Sequence, residues 1–206
     1  MRSIITSTAL FALLASPALA EPTLDGVAKD TYQLDQTHAF LTWTVIHNGL
    51  SGYTVDFTDF DATLDFDPDE PTASSISVTI NPMGLETNYP DAEKREEWHT
   101  ELSTDPKFLN GGEYPEITFV STSAESTGEF TGTVTGDLTF LGVTKPVTMD
   151  VTYNGTANLP WYGPRDLVGF NATTTLKRSD FGMTSMANNI SDEVVIEFSG
   201  EFLQDE

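Results

Sequence analysis

Along most of this chain apolar and polar residues alternate at every second position. That period commits the chain to strands, because successive side chains of an extended backbone point to opposite faces. Between His38 and His47, Ala39, Leu41, Trp43 and Val45 share one face, and Phe40, Thr42, Thr44 and Ile46 share the other. Phe57, Phe60, Ala62, Leu64 and Phe66 follow, with Phe57 and Phe60 out of step, which predicts a bulge at Thr58-Asp59. Further alternating sets run through Ile76 to Ile80, Ile117 to Phe119, Val134 to Phe140, Val147 to Tyr153, Phe170 to Leu176 and Val194 to Phe198. These make eight β segments, separated by turn signals such as Asn48-Gly49, Asp67-Pro68, Leu141-Gly142 and Ser179-Asp180. Many short strands at hairpin spacing imply an all-β sandwich or barrel.

One stretch breaks the pattern. Asn88 to Thr104 carries Pro90, suited to a first helical position, then Asp91 and Glu93 where negative charge complements the helix dipole. Trp98 and Leu102 lie one turn apart, so a single helix is expected over about 90–102.

The N-terminus carries an address. Arg2, an apolar run from Ile4 to Leu14 and the small-x-small triplet Ala18-Leu19-Ala20 have the form of a secretory signal peptide over residues 1–20. The run is too short for a membrane span, so the expectation is a periplasmic protein without stable membrane insertion. Residues 21–30 read as a linker and 31–206 as one β-barrel domain. There is no cysteine, hence no disulfide, thiolate or lipidated N-terminal Cys. With 9 Lys and Arg against 32 Asp and Glu, the formal charge is −23, which repels phosphate backbones and argues against a nucleic acid partner.

Beyond the alternation, a series of motifs lies in a set order. Tyr32-x-Leu34-Asp35 leads into His38-Ala39-x-Leu41-x-Trp43-x-Val45-x-His47-x-Gly49. Tyr114-Pro115-x-Ile117-Thr118-Phe119, Gly136-Asp137-Leu138-Thr139 and Gly142-Val143-Thr144-Lys145-Pro146-Val147 follow. Arg178-Ser179-Asp180-Phe181-Gly182 and Asp192-x-Val194-x-Ile196 close the series. In these motifs, from Tyr32 to Phe202, the chain resembles the YceI-like polyisoprenoid-binding family. The resemblance implies an eight-stranded antiparallel lipocalin-like barrel, with the short helix covering part of it. It also implies an elongated apolar interior that takes a long-chain isoprenoid lipid, an isoprenoid quinone or a polyprenyl phosphate, with no cofactor and no catalytic step. There are departures. Ala39 stands where the family often has Ser, and Glu101 holds the place before Leu102 where the family tends to have His, with His99 two residues earlier.

Alternation combined with family position selects Trp43, Phe60, Leu64, Phe119, Leu138, Phe140, Phe170, Ala172 and Phe198 as the wall of an apolar pocket. Lys145, Arg165 and Arg178 are the cations available to a phosphate head. The strong acidity favours a neutral head such as a quinone. Two other readings stay open: a barrel enzyme acting on a lipid or quinone, with His38, His47 or Arg178 as acid/base candidates, and a structural barrel with a filled core. No metal site is expected, since His38 and His47 are nine residues apart and no HExxH or Cys/His cluster exists. Asp65 to Glu70 begins like a calcium loop, but Glu70 and Ile76 stand where Gly and Glu are needed.

Overall fold

A computed structural model describes residues 22–206, so the signal segment expected at 1–20 lies outside the described residues. Ten strands form one antiparallel sheet: β1 (Asp30–His47), β2 (Ser51–Phe57), β3 (Phe60–Phe66), β4 (Ser75–Ile80), β5 (Leu85–Glu86), β6 (Ile117–Ser126), β7 (Thr131–Phe140), β8 (Val143–Ala157), β9 (Leu167–Lys177) and β10 (Glu193–Gln204). β1 pairs with β10 along one edge, and this closes the sheet into an eight-stranded barrel of β1, β3, β4 and β6 to β10.

The count of ten differs from the eight segments expected because two barrel strands are broken. On its other edge β1 meets β3 through Asp30–Gln33 and β2 through Leu41–His47. β2 and β3 are thus two halves of one strand, interrupted at Thr58-Asp59, where the bulge was anticipated. The interruption is filled from the side: Thr58 N–H donates to Gly84 O, and Asn81 N–H to Asp59 O. β4 and β5 are likewise two halves of the next strand, against β3 and β2 respectively.

Tight turns set the register. Asn48 and Gly49 have φ of 52° and 70°, and Leu141 and Gly142 of 50° and 73°. Two successive positive φ values match the right-handed twist of the flanking strands, which is why Asn-Gly marks such hairpins.

The helix, α1 (Ala92–Thr104), starts two residues later than expected. Asp91 is its N-cap and accepts from Lys94 N–H, so Pro90 precedes the cap instead of opening the helix. The following loop folds back on the helix, where Leu109 N–H reaches Leu102 O and Gly111 N–H reaches Ser103 O. These bonds satisfy carbonyls that a helix end otherwise leaves unpaired.

The buried side chains form two clusters, one toward each end. Toward the helix end, Leu102, Phe108 and Leu109 join Val55, Phe140 and Phe181. Toward the other end, Tyr32, Phe66, Tyr153 and Phe202 pack with Val27. Residues 22–29, expected as a linker, pack on this end of the barrel. Tyr32 OH donates to Ala28 O and Tyr153 OH to Thr23 O, while Ala28 N–H donates to Asp166. Burial pushes the Tyr153 phenol up to about 12.

β1 and β10 slip register between Leu34 and Ala39, and Asp35 ties this bulge down. Its carboxylate accepts from Thr37, His38 and the hydroxyl of Tyr162. Burial pushes the Asp35 carboxyl up, but these hydrogen bonds outweigh it and hold the group well below the usual carboxylate range. The hydrogen bond to Asp35, and then its charge, raise the His38 imidazole. A lowered carboxyl contributes stability above its unfolded value, about 3.9, and loses it as pH falls through the folded value. A raised imidazole contributes fully below about 6.5 and loses its contribution as pH rises through the folded value. The melting-temperature gap between wild type and Asp35→Asn is therefore expected to be widest from about pH 4 to 6.5 and to narrow on both sides. Thermal melts from pH 3 to 9 check this, and a gap independent of pH would refute it.

Candidate functional site: an apolar cavity through the barrel

Eight strands enclose a space that side chains can fill or leave open, and inward residue size decides which. Here small residues face large ones. At Gly136 an added Cβ would lie 2.4 Å from the Phe119 ring, so the ring rests directly on the β7 backbone. Gly200 and Ala39 likewise give way to Phe198. Inward side chains in mid-barrel, including Trp43, Leu138, Val147, Met149 and Ile196, are only partly buried although they point away from solvent. They are accessible because the space beside them is empty: a cavity of about 690 Å³ runs through the barrel. This volume falls within the roughly 300–1,000 Å³ of ligand pockets.

The structure places all nine residues selected from the sequence on this cavity. Trp43 from β1, Phe60 and Leu64 from β3, and Phe119 from β6 line it. So do Leu138 and Phe140 from β7, Phe170 and Ala172 from β9, and Phe198 from β10. Sequence reasoning expected the helix to cover part of the barrel but did not select the lid residues that line the cavity. Tyr89, Trp98, Leu102, Phe108 and Leu109 roof the helix end, and Met183, Met186 and Ile190 border it beside the last hairpin. Trp98 and Leu102 carried a signal as the apolar face of α1. Phe108 and Leu109 lie in a loop, where no periodicity marks them. At the other end the aromatic cluster makes the floor, with Phe66 to Phe170 at 5.6 Å and Tyr153 to Phe170 at 5.3 Å between ring centroids.

The polar groups were harder to read. Lys145, Arg165 and Arg178 do not form one cationic site. Arg165 follows the loop at the floor end, where its Nε donates to Tyr162 O. Lys145 lies at the lid end, its Nζ 3.9 Å from Asp180. Arg178 borders the cavity but is 3% exposed, and four of its N–H groups are already committed. They donate to the carbonyls of Ser191, Met183, Ser185 and Ile190, so its role as a headgroup contact is corrected to that of a clamp on the 183–191 loop. The histidines are dispersed. His38 is held by Asp35 at the β1 bulge, and His47 lies at the cavity rim. His99 accepts the Thr87 N–H at Nε2, which ties α1 to the chain after β5 and occupies the lone pair of that nitrogen. Asp35, His38 and Glu201 bring potential ligand atoms within 4.8 Å of one another, but Asp35 is already occupied by Thr37, His38 and Tyr162. The Asp65–Glu70 stretch is an Asx-type turn, with Asp67 accepting from Asp69 and Glu70 N–H and from Lys29.

Two buried side-chain polar atoms have no partner among the described residues: Trp43 Nε1 and Thr87 Oγ1. Unpaired buried donors are rare enough in folded proteins to require a reason. The Trp43 ring lines the cavity, while its Nε1 is covered by neighbouring atoms.

Gly136 supplies a test of the packing that keeps the cavity open. Gly136→Val would press on the Phe119 ring and on Val120 O, 2.6 Å from the added Cβ. The expected loss is about 1–3 kcal/mol in denaturant unfolding. A variant as stable as wild type would show that this contact does not constrain the wall.

The fold recurs in known proteins. The family model for the YceI-like domain matches residues 32–202. The UPF0312 protein of Pseudomonas putida strain GB-1 is 44% identical over 154 residues, which cover 74% of this chain and 76% of that protein. The crystal structure of the Campylobacter jejuni YCEI protein is similar with a TM-score of 0.64 and 26% identity, covering 76% of this chain and 88% of the other. A polyisoprenoid binding domain from Saccharophagus degradans shares the fold at a TM-score of 0.59 and 16% identity, covering 85% and 98%.

Proposed function

The chain belongs to the YceI-like domain family, and from that membership we propose that it is a binding and carrier protein for a long-chain isoprenoid lipid, held in the barrel without any bond-making step. The observation that carries this reading is the unbroken apolar lining from the lid residues Trp98 and Phe108 to the floor residues Phe66 and Phe170. Each CH₂ taken from water contributes about 0.8 kcal/mol, so fifteen buried carbons offer on the order of 10 kcal/mol before the costs of ordering tail and site. The tail alone is then enough for useful affinity. A protein of the same fold is described as a polyisoprenoid binding domain, which favours a prenyl chain over a straight acyl chain. The N-terminal signal features place this carrier in the periplasm in our reading.

For the head we favour a neutral quinone over a phosphate. The chain is strongly acidic, and the three cations considered for a phosphate are split between the two ends or already hydrogen-bonded.

Organic extraction or native mass spectrometry of freshly purified protein tests the ligand class. A co-purified isoprenoid is the expected result, and an empty protein that takes up no prenyl lipid would defeat the reading. Side-by-side titration with an isoprenoid quinone and a polyprenyl phosphate tests the head, and tighter phosphate binding at low salt would overturn the quinone preference. Ala172 lies across from Phe198 and Val151 on the wall. Ala172→Trp should cut lipid uptake about tenfold or more while the barrel still folds. Unchanged uptake would remove this face from the binding site.

A further inference from the structure

Charge is spread along this chain, with 20% of its residues Asp, Glu, Lys or Arg. Several runs among the described residues lack all four, 71–85 and 151–164 among them, and two such runs meet at one end of the barrel. Residues 36–55 and residues 181–191 contain none of the four. They are far apart in sequence, and the fold knits them into one tip at the lid end. His47 bridges to Ile190, Asn48 N–H donates to Asn189 O, and Ser191 N–H donates to Ile46 O. Asn189 also reaches Asn48 through its side-chain amide, and Ser191 Oγ accepts from Ile46 N–H. The Arg178 clamp fixes the same loop from beneath.

This rigid, uncharged tip displays apolar side chains to solvent. Leu50 is 86% exposed, Ile46 48% and Met186 42%. The tip is also continuous with the cavity, whose lining includes His47, Met186 and Ile190. We propose that this tip is a membrane-docking surface, which seats the cavity mouth on a lipid bilayer so that a prenyl tail passes between bilayer and barrel without crossing water. The proposal rests on the lipid-binding reading and adds where the ligand enters. Charge decides for a bilayer. Most of the remaining surface of a −23 chain is repelled by anionic headgroups and would lose hydration against any headgroup layer. The tip meets neither cost, and beyond about 8 Å the remaining repulsion is screened at physiological salt. Leu50, Ile46 and Met186 can then enter the interface as apolar anchors.

The test uses phosphatidylcholine vesicles, with and without an isoprenoid quinone, and three variants: Leu50→Asp, Ile46→Asp and Trp161→Asp. Trp161 is 72% exposed but belongs to the loop at the floor end, so it serves as a control. Wild type and Trp161→Asp should co-float with quinone-free vesicles and extract quinone from loaded ones. Leu50→Asp and Ile46→Asp should lose at least about tenfold in both, while binding quinone from detergent micelles as wild type does. Extraction and flotation at wild-type levels in both tip variants would overturn the docking surface and leave the ligand assignment standing. Failure of every protein to bind quinone from micelles would defeat the ligand assignment, and flotation of empty vesicles would still judge the tip. Sedimentation closes the remaining route. A wild-type dimer that Leu50→Asp dissociates, without a change in flotation, would assign the tip to a second copy and overturn the proposal.

Discussion

The pairing of β1 with β10 governs everything else in this molecule. An open sheet of these strands would leave two unpaired edges and a face of Phe, Leu, Val and Met side chains without a partner. Closure pairs the edges and turns that face inward around one axis. Two consequences follow from the curvature alone. Every second residue of eight strands points at a common interior, and the interior is too wide for those side chains to meet in the middle when glycine and alanine alternate with the rings. The cavity is therefore a product of closure and side-chain size, and no separate element builds it. The interruptions in the two broken strands have the same origin. Strands that bend around one end of the barrel lose register at Thr58-Asp59, and the 81–84 loop supplies the missing hydrogen bonds.

The wall of the barrel was legible because alternation is a local property. Leu41, Trp43 and Val45 declare their face within five residues, and the same holds for Ile76 to Ile80 and Val147 to Tyr153. β2 escaped notice because Ser51-Gly52-Tyr53-Thr54 carries one large apolar residue in four, and its pairing to β1 comes from the Asn48-Gly49 turn. The first half of β1 was hidden by Asp35, Gln36 and Thr37, which occupy the bulge. Whether the interior is hollow was not legible at all. A filled barrel and an open one share the same alternating pattern, and the difference lies in which small residue faces which ring across strands distant in sequence. Arg178 shows the same limit for charge. Its number and type suggest a free cation, while its partners are backbone carbonyls that no side-chain pattern records.

The acidic composition and the apolar interior serve different parts of the molecule. Acidic residues alternate outward along the strands and keep a barrel with exposed Phe40 and Val120 in solution. They are absent from the tip where the Asn48 and Asn189 turns meet, while the lid helix carries exposed Glu93, Glu96, Glu97 and Glu101. The surface is thus uneven in a way the net charge conceals.

The two buried clusters lie toward the ends of the barrel, joined in the middle only by the partly buried Phe60, Val78 and Phe198. Cohesion is thereby concentrated at the caps, and the waist contributes comparatively little to holding the fold. A waist that carries so little of the weight is free to drift: exchanging Val147, Met149 or Ile196 for neighbours of other sizes reshapes the bore while both caps stay intact. Descendants of one such scaffold can diverge in the girth and length of what they hold long before they diverge in architecture.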